Sequence, residues 1–116
     1  MEPVRVGVVG IGSMGLNHAR IYSELPQTEL VGVVDIQEAR GRQCSARFNT
    51  TYFESYHGLF DKVDAVNIVV PTSLHYTVAM EFLKRGVHVL VEKPIAVDLV
   101  QAKRLVEYSK RHNLVL

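Results

Sequence analysis

The chain has 116 residues, 47% of them hydrophobic and 22% charged, with a formal net charge of +1. That is material for one ordinary globular domain with one core, and the near-neutral balance gives no electrostatic case for a nucleic acid or an anionic membrane as partner. The single cysteine, Cys44, excludes an intrachain disulfide, no apolar run approaches the roughly 20 residues that span a bilayer, and the start Met1-Glu2-Pro3-Val4-Arg5-Val6 has no secretory pattern, so a cytoplasmic protein is expected.

In chain order, Val4–Val9 is a β-branched run closed by Gly10 and apolar on both sides of its alternation, as a strand covered on both faces should be. Residues 14–24 read as a helix stopped by Pro26, and Leu30–Val34 as a second buried strand ending at Asp35. Residues 37–47 are helix-like, Thr50–Phe53 is a short third strand, and Ser55 is placed to cap a short helix through Phe60. Ala65–Val70 is the fourth strand, stopped by Pro71. Ser73–Arg85 follows as a helix, with Ser73 as N-cap and Gly86 just past its end. Val87–Val91 is the fifth strand. Asp98-Leu99-Val100-Gln101 has capping-box spacing and opens a helix to about Arg111, ended by Asn113. Leu114-Val115-Leu116 would begin a sixth strand, so a piece of a longer polypeptide is expected.

Strands alternating with helices require right-handed crossovers and a parallel sheet with helices on both faces. The expected fold is therefore a doubly wound, three-layer α/β/α Rossmann domain occupying residues 1–116. Its signature is Gly10-Ile11-Gly12-Ser13-Met14-Gly15, set between the first strand and the first helix. Gly10 permits a tight turn, Gly12 lets the backbone approach a pyrophosphate, and Gly15 lets the helix pack close to the strand. The free N–H groups and dipole of the helix start favour phosphate charge. Asp35 closes the second strand where a carboxylate accepts hydrogen bonds from the adenosine ribose hydroxyls, which favours NAD over NADP. Arg40 and Arg42 lie close in sequence and keep NADP open.

Ligands of this fold bind outside the carboxyl ends of the strands, which directs attention to Val70-Pro71-Thr72-Ser73-Leu74-His75 and to Val91-Glu92-Lys93-Pro94-Ile95. An ammonium beside a substrate hydroxyl assists its deprotonation and stabilises developing oxyanion charge, the role open to Lys93. Read locally, Glu92-Lys93 fits a surface pair before a turn equally well. His75 fits either a cofactor-side residue or a helix-start packing residue, and His18 reads as structural. His57, His88 and His112 have no metal-ligand spacing, so no metal site is expected.

Taken together and in order, the glycine loop, Asp35, Pro71-Thr72-Ser73-Leu74-His75 and Glu92-Lys93-Pro94 resemble the glucose-fructose oxidoreductase/inositol dehydrogenase/rhizopine-catabolism (Gfo/Idh/MocA) family over essentially the whole chain. The resemblance implies hydride transfer between NAD or NADP and a hydroxyl carbon of a sugar, inositol or related polyol. It implies a catalytic role for Lys93 at the reacting hydroxyl. It also places Glu92, Pro94, Pro71, Thr72 and His75 at the nicotinamide and ribose end of the cofactor. Where the family loop usually reads Thr-Pro-Asn-x-x-His, this chain has Val70-Pro71-Thr72-x-x-His75, which removes contacts of the Asn side chain. Asn17-His18-Ala19-Arg20-Ile21-Tyr22 resembles the subset that acts on nucleotide sugars. The family's second domain, which holds the substrate pocket, an Asp/His pair for proton transfer and the usual oligomer interface, has no counterpart in these residues. A second reading is accordingly a dinucleotide-binding module without turnover of its own. A third, a small reductase of another Rossmann family, is opposed by Glu92-Lys93-Pro94.

Overall fold

A computed structural model describes residues 2–91, 96 and 98–116, the Thr72 side chain apart. The elements run β1 (Val4–Val9), α1 (Ser13–Glu24), β2 (Thr28–Val34), α2 (Glu38–Arg47), β3 (Thr51–Phe53), a 3-10 turn (Tyr56–Leu59), β4 (Ala65–Ile68), α3 (Thr72–Leu83), β5 (His88–Val91) and α4 (Leu99–Arg111). All strand pairs are parallel, in the order β3-β2-β1-β4-β5. The order reverses between β1 and β4, which opens a crevice at their carboxyl ends, the place where this architecture binds ligands.

The alternation of side chains along β1 divides the interior in two. Val8, with Val33 of β2, packs against Ala19 of α1 and Cys44 of α2. Val9 faces the other way, into a larger cluster with Val34, Val66, Ile68, Phe82, Leu83 and Leu105. Parallel strands buried on both faces need apolar residues at consecutive positions; β1 and β2 supply them, and β4 does so except at the buried Asn67. The expected three-layer, doubly wound fold is what forms.

Several boundaries differ from expectation, most of them by one or two residues, and those around α3 and β4 bear on the site. α3 starts at Thr72 rather than Ser73, launched from Pro71 at φ −54° and ψ 144° with no side-chain cap. The proline ring presets a helix-compatible φ, so Leu74 N–H already reaches Pro71 O at 2.9 Å and Ser73 falls inside the first turn instead of capping it. The helix ends at Leu83 because the chain reverses through Gly86 at φ +76°, with Val87 N–H bonded to Phe82 O at 3.1 Å. β4 stops at Ile68, although Val69 N–H still donates to Val9 O at 2.8 Å. Residues 114–116 form no strand. Val115 O accepts from Val89 N–H at 2.9 Å, but Val115 N–H goes to the His88 ring at 3.0 Å, so one backbone bond stands where a ladder needs a series. At α4 the Asp98 side chain does accept from Gln101 N–H at 2.8 Å, and Ser55 caps the 3-10 turn by accepting from His57 N–H. No helix among the described residues is long and apolar enough to cross a membrane.

Candidate cofactor site

The turn from β1 into α1 is fixed by contacts that only glycine allows. Gly10 has φ +98°, and a Cβ there would lie 2.3 Å from Val69 O. A Cβ on Gly15 would lie 1.8 Å from Gly10 O, so the first turn of α1 rests directly on the loop backbone. On Gly12 a Cβ would meet open space, with no atom of the described residues beyond its chain neighbours within 4 Å. α1 has Gly12 at its N-cap, so no side-chain cap, and has no acidic residue in its first turn. The positive end of a 12-residue helix therefore faces the crevice without an acidic side chain in its own first turn. A pyrophosphate fits this arrangement. Ser13 and Met14 are exposed on the same turn, while Ile11 is buried among Val8, Ala19 and Cys44.

Asp35 sits beside this loop at the end of β2, but its carboxylate is turned inward and only 1% exposed. Oδ2 accepts from Ile11 N–H at 2.7 Å and from Arg40 Nε at 2.9 Å. Oδ1 accepts from Gln37 N–H at 2.8 Å and from Arg40 Nη2 at 3.0 Å. Burial alone pushes this carboxyl up; the Arg40 fork and the two backbone N–H groups more than offset it and hold the group below the ordinary carboxylate range. Ile36, the next residue, is 97% exposed and presents an apolar surface beside the loop.

Of the two arginines that kept a 2′-phosphate open, Arg40 is at the site and Arg42 is not: Arg42 bonds Glu38 at 3.1 Å and stacks over Tyr52. An open cleft of about 320 Å³ lies between the start of α1 and α2, bounded by Gly12, Ser13, Leu16, Arg40, Gln43 and Arg47, with Cys44 and Ile11 at its back. Arg47 and Gln43 escaped the sequence reading. Their spacing from Arg40 along α2, three and seven residues, places all three on one helix face, a signal that becomes readable once that face is known to look at the loop.

At the neighbouring strand ends, Pro71 is exposed at the start of α3. His75 is 2% exposed and its Nε2 hydrogen-bonds Val70 O at 2.8 Å, which ties α3 to the end of β4. β5 ends at Val91, level with Ile68. Glu92, Lys93 and Pro94, which follow Val91, lie outside the described residues. Among the described residues no cluster of three or more His, Cys, Asp or Glu is arranged to hold a metal.

The fold and the glycine loop define a dinucleotide-binding domain, and the comparison with known proteins gives its family. Residues 4–116 match the Gfo/Idh/MocA oxidoreductase family model for the NAD-binding Rossmann fold, and the chain belongs to that family. It is 39% identical over its whole length to UDP-N-acetylglucosamine 3-dehydrogenase of Acidithiobacillus ferrooxidans, covering 36% of that protein; the solved structure of that enzyme superposes with a TM-score of 0.92. GenD2 of gentamicin A biosynthesis, solved with NAD, is 30% identical with a TM-score of 0.95, over 100% of this chain and 34% of that one. KijD10, a 3-ketoreductase of Actinomadura kijaniata solved with NADP and TDP-benzene, is 32% identical with a TM-score of 0.91, over 99% of this chain and 36% of that one. The chain thus spans little more than a third of the length of these relatives.

Proposed function

We propose that the chain is the cofactor-binding part of an NAD(P)-dependent oxidoreductase that moves a hydride between nicotinamide and a hydroxyl carbon of a sugar, inositol or nucleotide sugar. The observation that carries this reading is the uncapped start of α1 above the Gly10–Gly15 turn, in a chain of this family. The backbone N–H groups of residues 13–15 hold the pyrophosphate, with Ser13 and Met14 flanking it. Ile36 gives the adenine an apolar surface. Bound there, the dinucleotide supplies the hydride acceptor or donor. Pro71, Thr72, His75, Glu92 and Pro94 line its nicotinamide end, and His75 acts by fixing the Val70 carbonyl and hence the course of that loop. Lys93 lies two residues past the end of β5 and approaches the substrate hydroxyl, where its ammonium favours the alkoxide and stabilises oxyanion charge. The similarity to UDP-N-acetylglucosamine 3-dehydrogenase favours nucleotide sugars within the substrate class.

Two measurements test this. Titration calorimetry of the 116-residue chain with NAD and NADP should give saturable binding that Gly12→Val abolishes, because a branched side chain would fill the space over the helix start; no binding of either dinucleotide would sink the reading. In a full-length enzyme carrying this domain, Lys93→Ala should lower kcat by about a hundredfold or more, the range of a lost acid–base group, with cofactor affinity kept. Full turnover by that variant would remove Lys93 from the chemistry. A dinucleotide-binding module with no turnover of its own is the second reading for the 116-residue chain, favoured by its covering only 36% of the length of the dehydrogenase it most resembles among those named above.

A further inference from the structure

We infer that the groove between α3 and α4 is a docking site for a protein partner, one that presents an acidic segment with an apolar anchor residue. The net charge of +1 conceals an uneven distribution. α4 carries Lys103, Arg104, Lys110 and Arg111 against Glu107 alone, a surplus of three positive charges within one helix. Tyr76, Met80 and Lys84 recur at every fourth position along α3 and its C-cap, and Arg104, Tyr108 and Arg111 follow at spacings of four and three along α4, so each set forms one stripe. The two stripes line an open cavity of about 220 Å³ between the helices. α3 leaves the crevice at Thr72 and runs away from it, so this groove lies apart from the glycine turn, across the sheet from α1 and α2.

The floor of the groove is aromatic and thioether. Tyr76, Met80 and Tyr108 pack on the larger core cluster and keep part of their surface open. Tyr108 also stacks on the His112 ring at 4.2 Å, which fixes its orientation. The rims are cationic and unpaired. Elsewhere Arg5, Arg20, Arg40 and Arg42 each hold a carboxylate, whereas among the described residues the side chains of Lys84, Arg104 and Arg111 make no hydrogen bond or ion pair, with Glu107 or any other group. Lys84 and Arg111 also answer the carbonyl ends of their helices, but Arg104 lies about two turns from the end of α4, beyond the reach of that dipole. Tyrosine, methionine and arginine are enriched in protein interfaces, and tyrosine and arginine dominate their hot spots; these types make up five of the seven residues on this lining. The cations are strung along two helices whose backbone N–H groups are engaged within them. Carboxylates spaced along a peptide suit that array better than a single phosphate, which needs converging donors. An apolar side chain of the partner seats between Tyr76 and Tyr108, and acidic neighbours meet Lys84, Arg104 and Arg111.

The probe is the peptide Asp-Glu-Asp-Phe-Glu-Asp-Glu, titrated into the isotope-labelled chain and followed by amide NMR. Saturable shifts should gather at residues 76–84 and 104–111 and weaken with added salt. They should weaken again when the peptide's Phe is replaced by Gly. Arg104→Glu should loosen binding about tenfold, because an attractive exposed pair becomes a repulsive one, and Arg104→Gln should loosen it less. Arg42→Glu, on α2 across the sheet, should leave it as it is. Dinucleotide affinity should be the same in Arg104→Glu as in the wild type, so the groove and the cofactor site stand or fall separately. The NMR spectrum itself identifies a variant that has lost its fold, and the wild-type titration needs no variant. No shift at about 1 mM peptide overturns the inference, as do shifts that lie elsewhere or an unchanged affinity in folded Arg104 variants. Equal shifts of the same residues with pyrophosphate would make this a small-anion site, with an oligothymidylate a nucleic-acid groove, and on concentrating the chain alone a contact between copies; each of these also overturns it.

Discussion

Asp35 joins three parts of the domain through one side chain: the glycine loop at Ile11, its own turn at Gln37 and helix α2 at Arg40. Its folded pKa lies below its unfolded value. The stabilisation is therefore complete above the ordinary carboxylate range, near 3.9 for Asp, and is lost as pH falls through the lower folded value. Melting temperature followed against pH should drop below about pH 4 in the wild type, and Asp35→Asn should lack that part of the drop. At neutral pH, Asp35→Asn should cost about 1.5–3 kcal/mol, the range for hydrogen bonds to a charged group. The larger penalty for stranding a buried charge does not apply, because Arg40 is 43% exposed and can be resolvated by water. Gly15→Ala should cost about 3 kcal/mol, at the high end for overpacking, since its Cβ would meet the backbone oxygen of Gly10 at 1.8 Å and neither chain segment can retreat from the β1–α1 turn. Chemical denaturation of both variants measures these losses; wild-type stability in either would show that the loop relaxes without it.

At the scale of elements, α1 is bound to the sheet by an apolar stripe and by polar contacts, among them a side-chain pair from Tyr22 OH to Asn67 Oδ1 at 2.9 Å. Asn67 is 1% exposed in β4, and its Nδ2 has no hydrogen-bond partner among the described residues. Tyr22→Phe should cost about 1–3 kcal/mol, the penalty for leaving the buried amide wholly unsatisfied, and the double variant with Asn67→Val should recover most of it. A double-mutant cycle by urea unfolding checks this; additive losses would show that the pair does not interact. The strands were legible in the sequence because a parallel strand covered on both faces must be apolar at successive positions, as Val6, Val8 and Val9 are. The glycine turn was legible because Gly10 and Gly15 each answer a separate steric demand. The inward turn of Asp35 was not, since it depends on Arg40 reaching back one helical turn onto a strand end, and sequence distance does not decide between that contact and a ribose. The start of α3 was misplaced because serine is a strong N-cap by propensity, and here the geometry of Pro71 overrode it.

For the whole molecule, the two faces of the sheet are unequally covered. α3 and α4 close one side over β4 and β5, whereas α1 and α2 on the other side cover β1 to β3. On that second side Leu90 is 50% exposed and Val115 67% exposed, around an open apolar cavity of about 280 Å³ that Val6, Tyr22 and Ala65 also line. A contiguous apolar surface of this kind on a small domain seeks cover from water, and the isolated chain offers only another copy of itself. The outer edge of β5 adds to this, since among the described residues it is closed only by the backbone bond that Val89 N–H donates to Val115 O. Sedimentation equilibrium of the 116-residue chain at high concentration should give a mass above the 13.0 kDa of one chain. Leu90→Lys should return it to that value without loss of helix signal, because the side chain is half in water already and its charge can stay there. A wild-type chain that stays strictly monomeric at all concentrations would mean that this face is too small or too concave to pair, and that the polar rim of Thr28, His88 and Tyr22 suffices to keep it wet.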